Sequence, residues 1–183
     1  MKQLQRMLRL LWEDNMKVYL ATDHSGVTLK NTVKTFLEEK GYVVEDCGAY
    51  TFDKNDDYPD FITKAAKAVS ADPENSRGII FGGSGQGEAI VANKFAGVRC
   101  AIFSTPVLPT QAINAEGRES TDPFEIVKLT REHNGANMLS LAVRFLKEED
   151  ALHAVQIWLE TANPSNERHL RRIEKIKKLE ETM

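Results

Sequence analysis

Residues 77–92 read RGIIFGGSGQGEAIVA, and this stretch decides the fold class. A short apolar run leads into the glycine-rich residues 82–87, here called the glycine loop, and then into a pattern with helical spacing. This order is typical of a strand, turn and helix in a parallel sheet. Such a loop lets backbone N–H groups approach an oxygen-rich ligand at a helix start. It lacks the Lys-Ser/Thr ending of a Walker A motif, and the residue three past Gly85 is Glu88, so a dinucleotide site is disfavoured.

Strands and helices alternate on both sides of this stretch. Apolar β-rich runs predict strands at residues 17–22, 42–47, 77–81, 98–103 and 138–142. Apolar residues at helical spacing predict helices at residues 29–37 (before a stop at Gly41), 61–69, 88–95, 148–159 and 167–179. The alternation predicts βαβ units, a parallel sheet and right-handed crossovers.

Composition excludes several classes of protein. The 183 residues carry 24 Lys plus Arg and 27 Asp plus Glu, a formal charge of −3, so there is no global basic field for nucleic acid. No apolar run approaches the roughly 20 residues that span a bilayer, so we expect a soluble, cytoplasmic protein without membrane contact. Two cysteines, Cys47 and Cys100, are too few for a disulfide framework, and no Cys/His cluster indicates zinc.

The expected organisation is a single domain over residues 16–183. Residues 1–15 form an N-terminal extension, either disordered or helical, and their sequence does not resemble a secretory signal. Residues 104–122 are rich in Pro, Ser, Thr and Gly and longer than most αβ connections. They form either a functional lid or a tolerated surface insertion, and the sequence leaves both open.

Three groups of residues are candidates for chemistry. Asp23 and His24 follow the first strand, and the glycine loop follows the third. Ligands of open α/β sheets bind at such carboxyl ends of strands. The alternative interpretation of the loop is a tight structural turn capped by Glu88. Arg168 and Arg172 lie four residues apart, so on a helix they share one face. They could bind a phosphate together, or they could form a basic face exposed to solvent. Residues 131–134, REHN, suit either catalysis or a helix cap. No single group decides the function.

Taken in order, the motifs resemble the type B ribose-5-phosphate isomerase family, which includes galactose- and allose-6-phosphate isomerases. The resemblance runs from residue 16 to about residue 176 and rests on ATDHSG, DDYP, GGSGQGEAIVANKFAGVRCA, REHNGANML and ERHLRRIEKI. It implies a Rossmann-like three-layer α/β/α sandwich with a five-stranded parallel sheet. It also implies a homodimer or tetramer, no metal or organic cofactor, and a place in the pentose phosphate pathway.

The implied activity is aldose–ketose isomerisation of D-ribose 5-phosphate and D-ribulose 5-phosphate through a cis-enediolate. One branch of the family has a cysteine base where this chain has Gly82, and the other has a glutamate where it has Glu88. The resemblance therefore places the chain in the glutamate branch. The alternatives are an isomerase of a six-carbon sugar phosphate and a sugar-phosphate-binding module without turnover.

The resemblance also implies roles for individual residues. The catalytic set comprises the base together with groups for the oxyanion and for ring opening: Glu88, Ser84, Asp23 and His133. The substrate- and phosphate-binding set is His24, Gly85, Gln86, Gly87, Asn134, Arg144, Arg168, His169 and Arg172. Cys47 and Cys100 match no catalytic position and are interpreted as buried strand residues, and Asn93 is expected to brace the glycine loop.

The order of elements adds one expectation about assembly. Because His133 and Asn134 precede the fifth strand, they should lie at the sheet edge opposite the glycine loop. We therefore expect them to complete the site of a partner subunit.

Overall fold

A computed structural model describes residues 16–182, so the expectation for residues 1–15 lies outside the described part of the chain. Five strands and six α-helices alternate along it. The strands are β1 Lys17–Thr22, β2 Val43–Asp46, β3 Ser76–Gly82, β4 Cys100–Phe103 and β5 Met138–Ala142. The helices are α1 Val27–Glu39, α2 Tyr58–Ala71, α3 Gln86–Ala92, α4 Glu125–Asn134, α5 Glu148–Glu160 and α6 Glu167–Glu180.

All strand pairs are parallel, and the strand order is β2-β1-β3-β5-β4. The central strand β3 is buried along its whole length, which explains the apolar run at residues 78–82. The predicted α/β class, with a five-stranded parallel sheet and helices on both faces, is confirmed.

The two faces of the sheet hold separate apolar cores. Because side chains alternate along a strand, Ile79 and Phe81 of β3 point into one core and Ile80 into the other. The first core includes Trp158 of α5, and the second includes Ile62 of α2. This division produces the three-layer α/β/α sandwich.

Most element ends differ from the prediction by one to three residues, and strand β4 and helix α4 differ for identifiable reasons. Strand β4 begins at Cys100 rather than at residue 98, because the Asn137 side chain accepts the Arg99 N–H at 2.8 Å where a ladder bond would lie. Helix α4 was not predicted as an element, although its end is well marked. Gly135 adopts φ +54° and donates to the carbonyl of Arg131, a left-handed helix stop.

Residues 104–122 contain no helix or strand and run back over α4. Arg118 in this segment contacts Glu125 at 2.9 Å and Glu132 at 3.1 Å, both on α4. The segment is therefore tied to the helix that ends in His133 and Asn134. Within residues 16–182, no helix is long and apolar enough to cross a bilayer.

Candidate active site

The first part of the site lies where β1 ends. Asp23 is buried and caps the short 3₁₀ turn His24–Gly26 by accepting hydrogen bonds from the Ser25 N–H at 2.9 Å and the Ser25 hydroxyl at 2.5 Å. Its carboxylate is thereby held at the carboxyl edge of the sheet, where the sequence predicted a ligand site.

His24 is held by Asp56 from the DDYP loop. Asp56 Oδ1 lies 2.6 Å from His24 Nδ1 and also accepts the His24 backbone N–H at 3.1 Å. This hydrogen bond raises the pKa of His24; burial and the Arg144 charge oppose the rise, and Asp23 adds to it. The charged imidazolium is therefore favoured, with Nε2 left to donate to an anion.

Donor atoms of Asp23, His24 and Asp56 lie within 4.8 Å of one another and form a possible cation site. However, His24 Nδ1 is already bonded to Asp56, and a metal there would have to replace that hydrogen bond. Asp56 was not predicted as a site residue. The sequence does contain a signal for it: the DDYP motif, residues 56–59, follows β2 and so lies at the same edge of the sheet as Asp23.

The glycine loop turns sharply from β3 into α3. Gly85 adopts φ +71°, a left-handed conformation that favours glycine, and its carbonyl accepts the Ser140 hydroxyl of β5 at 2.6 Å. The backbone amides of residues 85–87 thus stand at a helix start, where they suit developing negative charge.

Glu88 lies in the first turn of α3 with only 5% of its surface exposed. Its carboxyl group packs directly against Gly82, where an added Cβ would be 1.9 Å from the carboxyl carbon. Burial raises the pKa of Glu88; a hydrogen bond from its own backbone N–H lowers it, and the Asp23 charge raises it further. A carboxylate with a raised pKa is suited to general-base catalysis near neutral pH.

Two side chains close over the glycine loop. An added Cβ on Gly83 would meet the Arg144 guanidinium at 3.2 Å, and one on Gly87 would meet the Tyr58 ring at 2.8 Å. The Arg144 N–H also donates to the Gly83 carbonyl at 3.2 Å. Arg144 is therefore fixed beside the loop. Tyr58, from the same DDYP motif as Asp56, was not predicted.

Ser84 is exposed on the other side of the loop. With Gln86, Asn93 and Ile102 it lines a cavity of about 640 Å³ between α3 and β4 that does not include Glu88. The Ser84 hydroxyl accepts the Gln86 N–H at 3.4 Å and shares no hydrogen bond with Glu88. Ser84 and Glu88 therefore stand at the two ends of the segment that carries the backbone amides of residues 85–87.

The remaining predicted residues form a second cluster at the opposite edge of the sheet. His133, near the end of α4, stacks on His169 of α6 with ring centroids 4.1 Å apart and planes at 11°. Burial lowers the pKa of His133, and the charges of His169, Arg118 and Arg172 lower it further against the opposing effect of Glu132. His169 Nδ1 is buried without a hydrogen-bond partner.

The two clusters are separated by the length of β5. Asn134 precedes this strand and Arg144 follows it, and its five residues Met138–Ala142 span about 13 Å. Asp23, His24, residues 85–88 and Arg144 therefore lie at the carboxyl edge. The other cluster comprises His133, Asn134, Arg168, His169 and Arg172.

Three secondary expectations are revised. Asn93 does not brace the glycine loop: its side chain accepts the Cys100 N–H at 2.8 Å and donates to the Cys100 carbonyl at 3.0 Å. Cys47 is buried but lies one residue beyond β2, and Cys100 begins β4 and is only half-buried. Burial raises the pKa of Cys47 to about 11 and also raises that of Cys100, so neither thiol is a ready base.

The fold and the site together define the class of protein. The chain is an α/β protein with an all-parallel sheet, and a glycine loop and a buried carboxylate follow its central strand. The family model described as Ribose/Galactose Isomerase matches residues 18–116 and 120–176. The chain belongs to this family.

Named relatives agree with this assignment. Ribose-5-phosphate isomerase B of Mycolicibacterium paratuberculosis is 38% identical over 167 residues, covering 91% of this chain and 93% of the relative. The enzyme of that name from Mycobacterium leprae is 36% identical over 167 residues, covering 91% of each chain.

Solved structures show the same fold. Ribose-5-phosphate isomerase B from Mycoplasma genitalium with bound ribulose-5-phosphate has a TM-score of 0.79 and 33% identity, covering 92% of this chain and 98% of that one. The Clostridium thermocellum protein of that name has a TM-score of 0.76 and 34% identity, covering 91% and 99%.

Proposed function

We propose that this chain interconverts D-ribose 5-phosphate and D-ribulose 5-phosphate through a cis-enediolate, with Glu88 as the base. The observation that carries the proposal is the buried Glu88 carboxyl group packed on Gly82 at the end of β3. The names of the relatives, and the sugar phosphate bound in the Mycoplasma genitalium structure, support a five-carbon substrate.

The proposed reaction moves one proton between neighbouring carbons. Ionised Glu88 takes the proton from C2 of the open-chain aldose, and the electrons of that C–H bond form the C1–C2 double bond and leave negative charge on the C1 oxygen. Protonated Glu88 then returns the proton to C1, and the proton of the C2 hydroxyl passes to the C1 oxygen, so that C2 becomes the ketone and C1 carries a hydroxyl group. The sugar is oxidised at C2 and reduced at C1, so no outside redox partner is needed.

The surroundings of Glu88 supply the other requirements. The amides of Gly85, Gln86 and Gly87, with the Ser84 hydroxyl, would stabilise the enediolate oxygen. Asp23 would hold sugar hydroxyls and assist ring opening, and its negative charge beside Glu88 helps to keep that base strong. His24 and Arg144 offer positive charge at the same edge for the phosphate or the far end of the substrate.

The second cluster fits the same reaction only across an interface. His133, as the ring-opening acid/base, and Asn134 lie beyond the reach of Glu88 in the same chain, since β5 separates them. We propose that this cluster completes the site of a second copy in a homodimer, with the basic residues of α6 holding the phosphate. Arg168 and Arg172 are exposed on a helix with no buried residue, which leaves them available to a partner.

A substrate comparison tests the proposed function. We expect the purified protein to convert ribose 5-phosphate with a kcat/KM at least ~10-fold above those for allose 6-phosphate and galactose 6-phosphate, because one methylene-sized change in a fitted site has about that effect. The Glu88→Gln variant serves as the inactive control. A preference for a six-carbon sugar would replace the substrate assignment, and binding of all three without turnover would identify a non-catalytic module.

A further inference from the structure

Three arginines meet at the amino edge of the sheet, away from Glu88. Arg77 is the second residue of β3, Arg99 directly precedes β4, and Arg131 lies in α4. All three line a small cavity of about 130 Å³, here called the arginine cavity. Arg77 and Arg131 are 7% and 4% exposed, so two of the charges are almost completely removed from water.

Within residues 16–182, none of these guanidinium groups forms an ion pair. Their hydrogen bonds go to backbone carbonyls, and the Arg131 guanidinium also lies 5.5 Å from the centroid of the Trp158 ring. Arg77 donates to the Glu74 carbonyl at 3.0 Å, and Arg99 Nη2 donates to the Gly135 carbonyl at 2.9 Å. Among the described residues, Glu74 is the one acidic residue that lines the cavity, and its exposed side chain makes no ion pair with the three arginines.

The charges remain in place at neutral pH. Burial and repulsion from Arg77 and Arg99 lower the pKa of Arg131 to about 9, still well above 7. Burial and the Arg99 charge also lower the pKa of Arg77, and the charges of Glu74 and Asp72 oppose that change. Buried charges of one sign without a counterion are costly, and neutral carbonyls offset that cost only in part.

Some of the N–H donors are also free. Among the described residues, Nε and Nη2 of Arg77 and Nη2 of Arg131 donate no hydrogen bond within the protein. These atoms are not among the buried polar atoms that lack a partner, so each keeps some surface in contact with solvent. Free guanidinium donors on a small open cavity are the groups that bind planar or tetrahedral oxyanions.

The size of the cavity is sufficient for a small ligand. A cavity needs only about 10–15 Å³ of volume to hold one water molecule, so about 130 Å³ leaves room for a tetrahedral oxyanion. The cavity is also distinct from the basic face of α6: Leu170 and Ile173 line it, whereas Arg168 and Arg172 are each about half a turn around the helix from Leu170.

We propose that the arginine cavity is a binding site for a small tetrahedral oxyanion, inorganic phosphate or sulfate, separate from the isomerase site. The anion accepts hydrogen bonds from Arg77 and Arg131 and brings negative charge into direct contact with guanidinium groups that form no ion pair with Glu74. It joins the start of β3 to the end of α4 and to the loop before β5.

Equilibrium dialysis with radiolabelled inorganic phosphate tests this site. The Arg77→Leu variant keeps an apolar filling at the position, and we expect it to bind one phosphate ion fewer per chain than the wild type, or to bind that ion at least ~10-fold more weakly. Lys67→Met removes a cation from the exposed face of α2 and should bind phosphate as the wild type does. Equal phosphate binding by Arg77→Leu and the wild type would overturn the proposal.

A double variant separates this site from the proposed active site. Arg168→Ala/Arg172→Ala should lose the phosphate of the isomerase site and keep that of the arginine cavity. If the double variant binds as the wild type does while Arg77→Leu loses an ion, the cavity assignment holds and the substrate-phosphate assignment fails.

Crystals of the wild type soaked in selenate give a readout that does not depend on the folding of a variant. We expect an anomalous peak within hydrogen-bonding distance of Arg77 and Arg131. A cavity without a selenate peak would overturn the proposal.

Discussion

The carboxyl group of Glu88 rests on the Cα of Gly82, so closely that a Cβ at position 82 would lie 1.9 Å from its carboxyl carbon. The two positions therefore compete for one volume at the end of β3. A side chain at 82 and a glutamate in this conformation at 88 exclude each other, which accounts for the glycine at position 82.

Gly82→Ala tests this relationship. We expect the added methyl group to displace the Glu88 carboxylate and to lower kcat by at least ~10²-fold, approaching the effect of removing a general base. Gly83→Ala is the matched control, because the atoms nearest to its Cβ would be those of the Arg144 guanidinium, at 3.2 Å, and not those of Glu88. Steady-state kinetics and circular dichroism of both variants check the result; a Gly82→Ala enzyme as active as Gly83→Ala would show that the carboxylate is not confined there.

The raised pKa of Glu88 predicts a pH-dependent change in stability. Burial makes the charged form costly, so the folded state binds the proton more tightly than the unfolded state, where the pKa is near 4.5. The stability that protonated Glu88 contributes is fully present below the unfolded-state pKa of 4.5, and it is lost as the pH rises through the higher pKa of the folded state. Glu88→Gln should therefore have a higher Tm than the wild type at pH 7 and nearly the same Tm at pH 4. A lower Tm for the variant at pH 7 would contradict the burial argument.

Asp56 is predicted to act through His24. Asp56→Asn removes the charge that raises the pKa of His24, so less imidazolium is present at neutral pH. If His24 binds the substrate phosphate, KM should rise about tenfold with little change in kcat, and the loss of affinity at high pH should begin at a lower pH. The exposed neighbour Asp57 gives the control variant Asp57→Asn, which should retain the wild-type profile. Identical KM–pH curves for all three proteins would exclude this role.

The separation of the two clusters predicts complementation between inactive subunits. Glu88→Gln and His133→Ala chains, co-expressed with different tags and purified as a mixed dimer, contain one site with both wild-type residues if sites are shared. Such a dimer should regain about half of the wild-type activity. Each variant alone should stay inactive. A mixed dimer without activity would mean that His133 and Glu88 of the same chain work together.

Strands were predictable where an apolar run is bounded by polar residues. Strands β1 and β5 match the prediction residue for residue, since each is short, apolar and flanked by turn residues. Strand β4 was predicted two residues too long. The pattern at Val98 and Arg99 is strand-like, but the Arg99 amide is satisfied by the side chain of Asn137. Such a contact joins residues 38 positions apart and has no local signal.

The same distinction applies to the candidate site. The order of strands and loops was enough to predict that Asp23, His24 and the glycine loop meet at one edge. The Asp56–His24 pair and the place of Tyr58 depend on how the DDYP loop folds back over that edge, a tertiary contact that residue spacing does not encode. Asn93 was misassigned for a related reason: its nearest partner in space is the start of β4.

The central claim is that Glu88 moves the proton between C2 and C1, and one measurement tests it most directly. Glu88→Gln keeps the size and hydrogen bonding of the side chain and removes the base. With ribose 5-phosphate in deuterated water, we expect both turnover and deuterium incorporation at C1 to fall by at least ~10²-fold, with sugar-phosphate affinity nearly unchanged. Wild-type rates of isomerisation and exchange in this variant would contradict the account.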